Sequence, residues 1–190
     1  MSANEEKLQI VAFSTNDTSD TPNEILNIFL SQHTHSILKQ SRHAYAFQTE
    51  LPGTNKQTKI MVCSVLDLQR EYPGIKEVNC YIMFIDFNKE ESLQLFNDMI
   101  VYFREYCNLS KKIYVIGLKD EKNTVVLKEE DFTGKLKDNG LIYQFKYMNL
   151  DNKDDVESIF LEILNFCLKN PIKGPATVQR DQGDRSCNIF

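Results

Sequence analysis

Asn79-Cys80-Tyr81-Ile82-Met83-Phe84-Ile85 is a run of apolar residues with no alternation. A strand with one face in water alternates polar and apolar; a strand covered on both faces does not. This segment therefore reads as the central strand of a sheet with helices above and below. The chain around it follows the same plan. Glu90 to Tyr106 carries Leu93, Phe96, Met99, Ile100 and Phe103 at helical spacing, and Lys112 to Gly117 is a second buried strand. Lys128 to Asn139 is an amphipathic helix ending at Gly140, Leu141 to Met148 a last strand, and Asp154 to Leu168 a last helix stopped by Asn170-Pro171.

Upstream, Leu8-Gln9-Ile10-Val11-Ala12-Phe13 is a short strand followed by a polar loop, Ser14 to Asp20. Thr21-Pro22-Asn23-Glu24 carries a helix-start signature, with Thr21 as cap and Glu24 closing a capping box. Ile25, Leu26, Ile28, Phe29 and Leu30, continued by Ile37 and Leu38, form the predicted helical face. His43 to Leu51 alternates and suits a strand. Lys59 to Leu66 suits a second, and Pro52-Gly53-Thr54-Asn55 makes the turn of an antiparallel hairpin. The predicted class is α/β with a mostly parallel sheet.

With 190 residues, 42% hydrophobic and 26% charged, the chain suits one soluble domain. The expected organisation is an N-terminal extension over 1–6, a folded domain over 7–169 and a flexible tail over 170–190. No apolar run reaches the roughly 18 residues of a spanning helix. The polar start, Met1 to Glu6, predicts neither signal nor transit peptide, and Ser2 lacks the glycine of myristoylation. Five cysteines without C-x-x-C spacing argue for reduced thiols in the cytosol, with Cys63, Cys80, Cys107 and Cys167 in the core. A formal charge of −5 argues against a nucleic-acid partner.

Cys187-Asn188-Ile189-Phe190 has the form of a prenylation box, and its final Phe points to geranylgeranyl on Cys187. From Lys169 onward the tail has four basic and two acidic residues. One prenyl chain with so small a basic excess gives reversible attachment to a cytosolic membrane face. A prenyltransferase is then an expected partner.

The order of elements and the lipidated tail resemble the small GTPases of the Ras superfamily, nearest the Ras and Rab branches, over about residues 7–169. The likeness rests on Tyr81 to Leu93, on Leu127 to Phe132 with Asn139-Gly140-Leu141, and on Asp155 to Phe160. It implies a P-loop-type domain: a six-stranded sheet with one antiparallel hairpin strand and helices on both faces. Its nucleotide motifs are degraded. Ser14 to Glu24 holds no Gly and no Lys where a phosphate loop needs both, and Asp17, Asp20 and Glu24 put negative charge there. Asp67-Leu68-Gln69-Arg70 keeps the magnesium Asp of the family's Asp-x-x-Gly but has Arg70 for its glycine. Gly117-Leu118-Lys119-Asp120-Glu121 keeps only Lys119 of the guanine reader, with Asp120 usable after a one-residue shift. Asn149-Leu150-Asp151 stands where Ser-Ala-Lys would back the base.

The expectation is a catalytically inactive, membrane-associated interaction module. It has no catalytic residue, no metal site and no cofactor besides the lipid, and its partner surface lies around residues 40–76. A divergent but active GTPase would bind GTP/GDP and Mg through Asp67, Lys119 and Asp120. A third reading is an α/β subunit of a larger complex in which Cys187 is incidental. His33 and His35, two apart on the predicted helix, point different ways and make no metal site. Asp151, Asp154 and Asp155 lack the spacing of a calcium loop and read as helix-start charge.

Overall fold

The computed structural model describes residues 7–15, 21–40, 44–51, 57–65, 67–72, 74–119 and 126–172. The prenylation box with Cys187, the phosphate-loop positions 16–20, the hairpin turn and Asp120 lie outside them.

Among the described residues are seven strands and four helices, in the order β1 (Lys7–Ser14), α1 (Thr21–Leu30), β2 (His35–Gln40), β3 (Ala44–Glu50), β4 (Gln57–Ser64), β5 (Cys80–Asp86), α2 (Ser92–Tyr106), β6 (Ile113–Lys119), α3 (Glu130–Asp138), β7 (Tyr143–Asn149) and α4 (Lys153–Lys169). The sheet order is β2-β3-β4-β1-β5-β6-β7. β1 pairs in parallel with β4 and β5, β5 with β6, and β6 with β7. β2 and β3, and β3 and β4, are antiparallel. The fold is α/β and Rossmann-like.

The unbroken apolar strands have their physical explanation in two cores. Leu8, Ile10 and Ala12 of β1, Cys80, Ile82 and Phe84 of β5, and Tyr114, Ile116 and Leu118 of β6 face α1 and α4. Val11 and Phe13, Tyr81, Met83 and Ile85, and Ile113 and Val115 face α2 and α3 on the other side. Each buried large side chain contributes roughly 1.5–3 kcal/mol relative to exposure. Aromatic edges organise the second core: Phe13 meets Tyr102 at 5.9 Å and Tyr81 meets Phe103 at 4.7 Å, both edge to face. The hairpin strand alternates as its sequence requires, with Tyr45, Phe47 and Thr49 buried.

Two expectations are corrected. The sheet has seven strands, not six, and the extra strand is β2. The helix that Ile37 and Leu38 were expected to extend ends at Leu30. Six polar residues, Ser31-Gln32-His33-Thr34-His35-Ser36, interrupt the apolar face there. Gln32 N–H donates to Phe29 O (3.1 Å) and His33 N–H to Leu30 O (3.2 Å), tightening the last turn. Thr49 Oγ1 then donates to Thr34 O (2.9 Å) and holds the chain in register on β3. His33 and His35 accordingly sit in this turn and at the start of β2. His33 stacks on Phe29 at 4.5 Å between centroids, with Nε2 3.2 Å from Glu157 Oε1.

Candidate functional site

In an open α/β sheet, ligands bind beyond the carboxyl ends of the strands, where successive connections leave to opposite faces. Here that place is between β1 and β5: β1 leads to α1 on one face and β5 to α2 on the other. Of the residues the sequence offered for nucleotide binding, the described ones, Asp67 and Lys119, follow or end strands at this edge.

Thr15 follows β1 and is buried. Its N–H donates to Phe84 O (3.0 Å) and its hydroxyl to Ser92 Oγ at the start of α2 (3.1 Å). Asp86 N–H donates to Thr15 Oγ1 (3.0 Å). β1, β5 and α2 are thus laced together across the crevice by polar groups that satisfy one another. Asp86 turns its carboxylate back on the following loop: Oδ1 accepts from Asn88 N–H (3.0 Å), and Oδ2 lies 3.5 Å from Lys89 Nζ.

Asp67 follows β4, and its side chain is engaged locally. Oδ1 accepts from Gln69 N–H (2.9 Å) and Oδ2 from Arg70 Nε (2.9 Å). Arg70 is fixed through its carbonyl, which accepts from Tyr102 OH (2.8 Å). The pair is solvent-exposed and contributes no more than about 1 kcal/mol, and each carboxylate oxygen has one neighbouring donor.

Lys119 closes β6, with Nζ 3.3 Å from the centroid of the Tyr147 ring. That contact is a cation–π interaction and leaves the ammonium on β7. β4 and β6 are separated by β1 and β5, so three strand spacings, roughly 14 Å, lie between the ends that carry Asp67 and Lys119. The two residues share an edge of the sheet and no contact between them is present.

Beside Lys119 the edge is filled by aromatic rings. Phe87 directly follows β5 and is buried against Gly117, Tyr147 and Phe132. A Cβ at Gly117 would lie 2.7 Å from Phe87 Cε2, so the ring requires a glycine there. Phe87 O accepts from Val126 N–H (3.0 Å) and Leu127 N–H (3.2 Å), which draws the approach to α3 over the same place. The sequence held a signal for this contact: a glycine inside an apolar strand marks close approach of another group. The partner ring, two residues past the opening stretch, leaves no such signal in the pattern.

Asn149-Leu150-Asp151 forms the entry to α4. Asn149 Oδ1 accepts from Asp151 N–H (3.0 Å), and Asn149 N–H donates to Asp155 Oδ2 (2.7 Å). Asn152 is the N-cap, accepting from Asp154 N–H (3.1 Å), with Asp154 and Asp155 in the first turn. The acidic cluster serves the helix start, as the sequence suggested.

Among the described residues no group of three or more His, Cys, Asp or Glu side chains is placed to hold a metal ion. Also among them, no helix is long and apolar enough to cross a membrane. Cys80, Cys107 and Cys167 are buried free thiols and Cys63 is half-buried. Burial pushes the Cys63 thiol up, and pushes Cys107 up to about 12, so neither suits a nucleophile. No protein-family model matches the chain, and a search of curated proteins finds no relative.

Proposed function

We propose that this chain is a small-GTPase-like protein that does not use nucleotide and acts as a membrane-associated interaction module. The observation that carries the reading is the state of the β1–β5 crevice. Thr15 Oγ1 is held between Asp86 N–H and Ser92 Oγ beside the place where a phosphate loop would run. Three further features support it: Asp67 is held by Arg70, Lys119 lies on Tyr147, and Phe87 fills the space over Gly117. An active, divergent GTPase would have to release all of these contacts to form its site.

The partner surface of this reading is the face around residues 40–76, which includes β3, β4 and the Asp67–Arg70 turn. The anchor is geranylgeranyl on Cys187, giving peripheral attachment to the cytosolic face of a membrane. Two measurements test the reading. A fluorescent GDP analogue with Mg is expected to give no saturable signal; rapid, saturable exchange would favour the active GTPase. Intact mass from a eukaryotic host should show a prenyl adduct and loss of the last three residues, both abolished by Cys187→Ser. An unmodified wild-type mass would remove the membrane part of the reading and favour a subunit with an incidental cysteine.

A further inference from the structure

We propose that Cys80 and Cys167 are a redox pair, two thiols that close to a disulfide under peroxide and so fasten the end of α4 to the start of β5. The residues are 87 apart in sequence, yet their Sγ atoms lie 3.4 Å from each other in the core beneath α4. Both are free thiols here. A disulfide joins its sulfurs at about 2.05 Å, so the pair has to close by about 1.4 Å. Cys80 is the first residue of β5, and Cys167 lies in the last turn of α4. A central strand is held by neighbours on both sides. The last turn of a helix has fewer backbone bonds and opens more easily. The movement therefore belongs to α4.

The same turn gives an oxidant its way in. Cys167 is buried, but Asn165, Lys169 and Asn170 around it are exposed, and Phe166 and Leu168 are half-buried. One turn of helix separates the pair from water. Asn79, the residue before Cys80, holds that turn closed by donating to Cys167 O (3.4 Å) and Asn170 O (3.1 Å). While it is closed the pair is inert, because the hydrogen bond with Cys167 and burial push the Cys80 thiol up. When the turn opens, the Cys167 sulfur loses its proton to water and attacks one oxygen of hydrogen peroxide. The O–O bond breaks, Cys167 becomes a sulfenic acid, and the departing hydroxide takes up a proton as water. When the turn recloses, the Cys80 sulfur attacks the sulfenic sulfur. The S–S bond forms, the S–O bond breaks, and the hydroxyl leaves with the Cys80 proton as a second water. Two thiols have then given two electrons to one peroxide.

The test uses the full chain carrying Cys187→Ser, treated with hydrogen peroxide near neutral pH, quenched with an alkylating agent and mapped by peptide mass. A peptide pair joined through Cys80 and Cys167 should form within about an hour at about 1 mM peroxide and disappear with dithiothreitol. The link closes a long loop, so the melting temperature should rise by at least about 5 °C. Asn79→Ala frees the end of α4 and should speed the cross-link at least about threefold. Cys63→Ala should cross-link like the parent, and Cys80→Ala should not; should Cys80→Ala fail to fold, the peptide map of the parent decides. Cys80 and Cys167 still reduced after Cys63 is oxidised, a link that forms only in denaturant, or an Asn79→Ala rate no faster than the parent's would overturn the inference.

Discussion

Gly117 shows how single residues decide what the carboxyl edge of the sheet holds. Phe87 can lie over β6 only because Gly117 has no Cβ, so Gly117→Ala forces the buried ring to move. Overpacking of this kind costs about 1–3 kcal/mol, and chemical denaturation of the variant should read a loss in that range. Thr15→Val removes the acceptor of Asp86 N–H and the partner of Ser92 Oγ, both inside the protein. An unsatisfied buried group costs about 1–3 kcal/mol, so a similar loss is expected, without any gain of nucleotide binding. Thiol reactivity gives a third check, made on Cys187→Ser protein. Cys63 should be alkylated before Cys80, Cys107 and Cys167, because it alone of the four is half-buried. Its raised pKa means that the rate should keep rising at pH values where an ordinary thiol has already levelled off. Equal rates at all four cysteines would contradict the burial described. At this scale the sequence offered Asp67, Lys119 and Asp120 as candidates for nucleotide; Asp120 lies outside the described residues, Asp67 follows β4 and Lys119 ends β6. The sequence did not show that Arg70 and Tyr147 engage these two, because a short ion pair and a ring contact leave no periodic trace in a sequence.

Elements buried on both faces were the most legible. β5 and β6 carry short unbroken apolar runs and β1 a run broken only at Gln9, as suits strands covered on both faces. The helices after β5, β6 and β7 were legible through their 3.6-residue spacing and their stops. β2 was not. Its Ile37 and Leu38 fit the phase of α1 well enough to be read as another helical turn. What decided the matter was hydrogen bonding to β3, a partner distant enough in sequence that local pattern is silent about it. One connection between elements is also tertiary. The Asn79 side chain accepts from Gln9 N–H (2.8 Å) and donates to the carbonyls of Cys167 in α4 (3.4 Å) and of Asn170, its C-cap (3.1 Å). It ties the start of β5 to β1 and to the C-terminal end of α4. Asn79→Ala should cost about 1–3 kcal/mol. Hydrogen exchange should rise first in the last turn of α4 and at Gln9; uniform acceleration across α4 would contradict that local role.

At the scale of the whole molecule, the class of fold was legible and the strand count was not, for the reason just given. The distribution of charge gives the molecule an acid-sensitive seam between β7 and α4. Burial pushes the Glu162 carboxyl up, but Lys146 and the Gln144 amide outweigh it and hold it below the usual range. A depressed carboxylate pKa stabilises above the unfolded value and loses that contribution as pH falls through the folded one. The group is largely exposed, so its share is no more than about 1 kcal/mol, and Glu162→Gln should flatten the acid limb of stability only slightly below about pH 4. The proposed reading turns on the β1–β5 switch point, where Thr15 Oγ1 joins Asp86 N–H and Ser92 Oγ. Calorimetric titration of the full chain with GTP and with GDP, Mg present in each, tests this most directly. The account predicts no binding heat up to about 1 mM nucleotide, which places any affinity weaker than about −4 kcal/mol. A magnesium-dependent isotherm at micromolar affinity or tighter would contradict it.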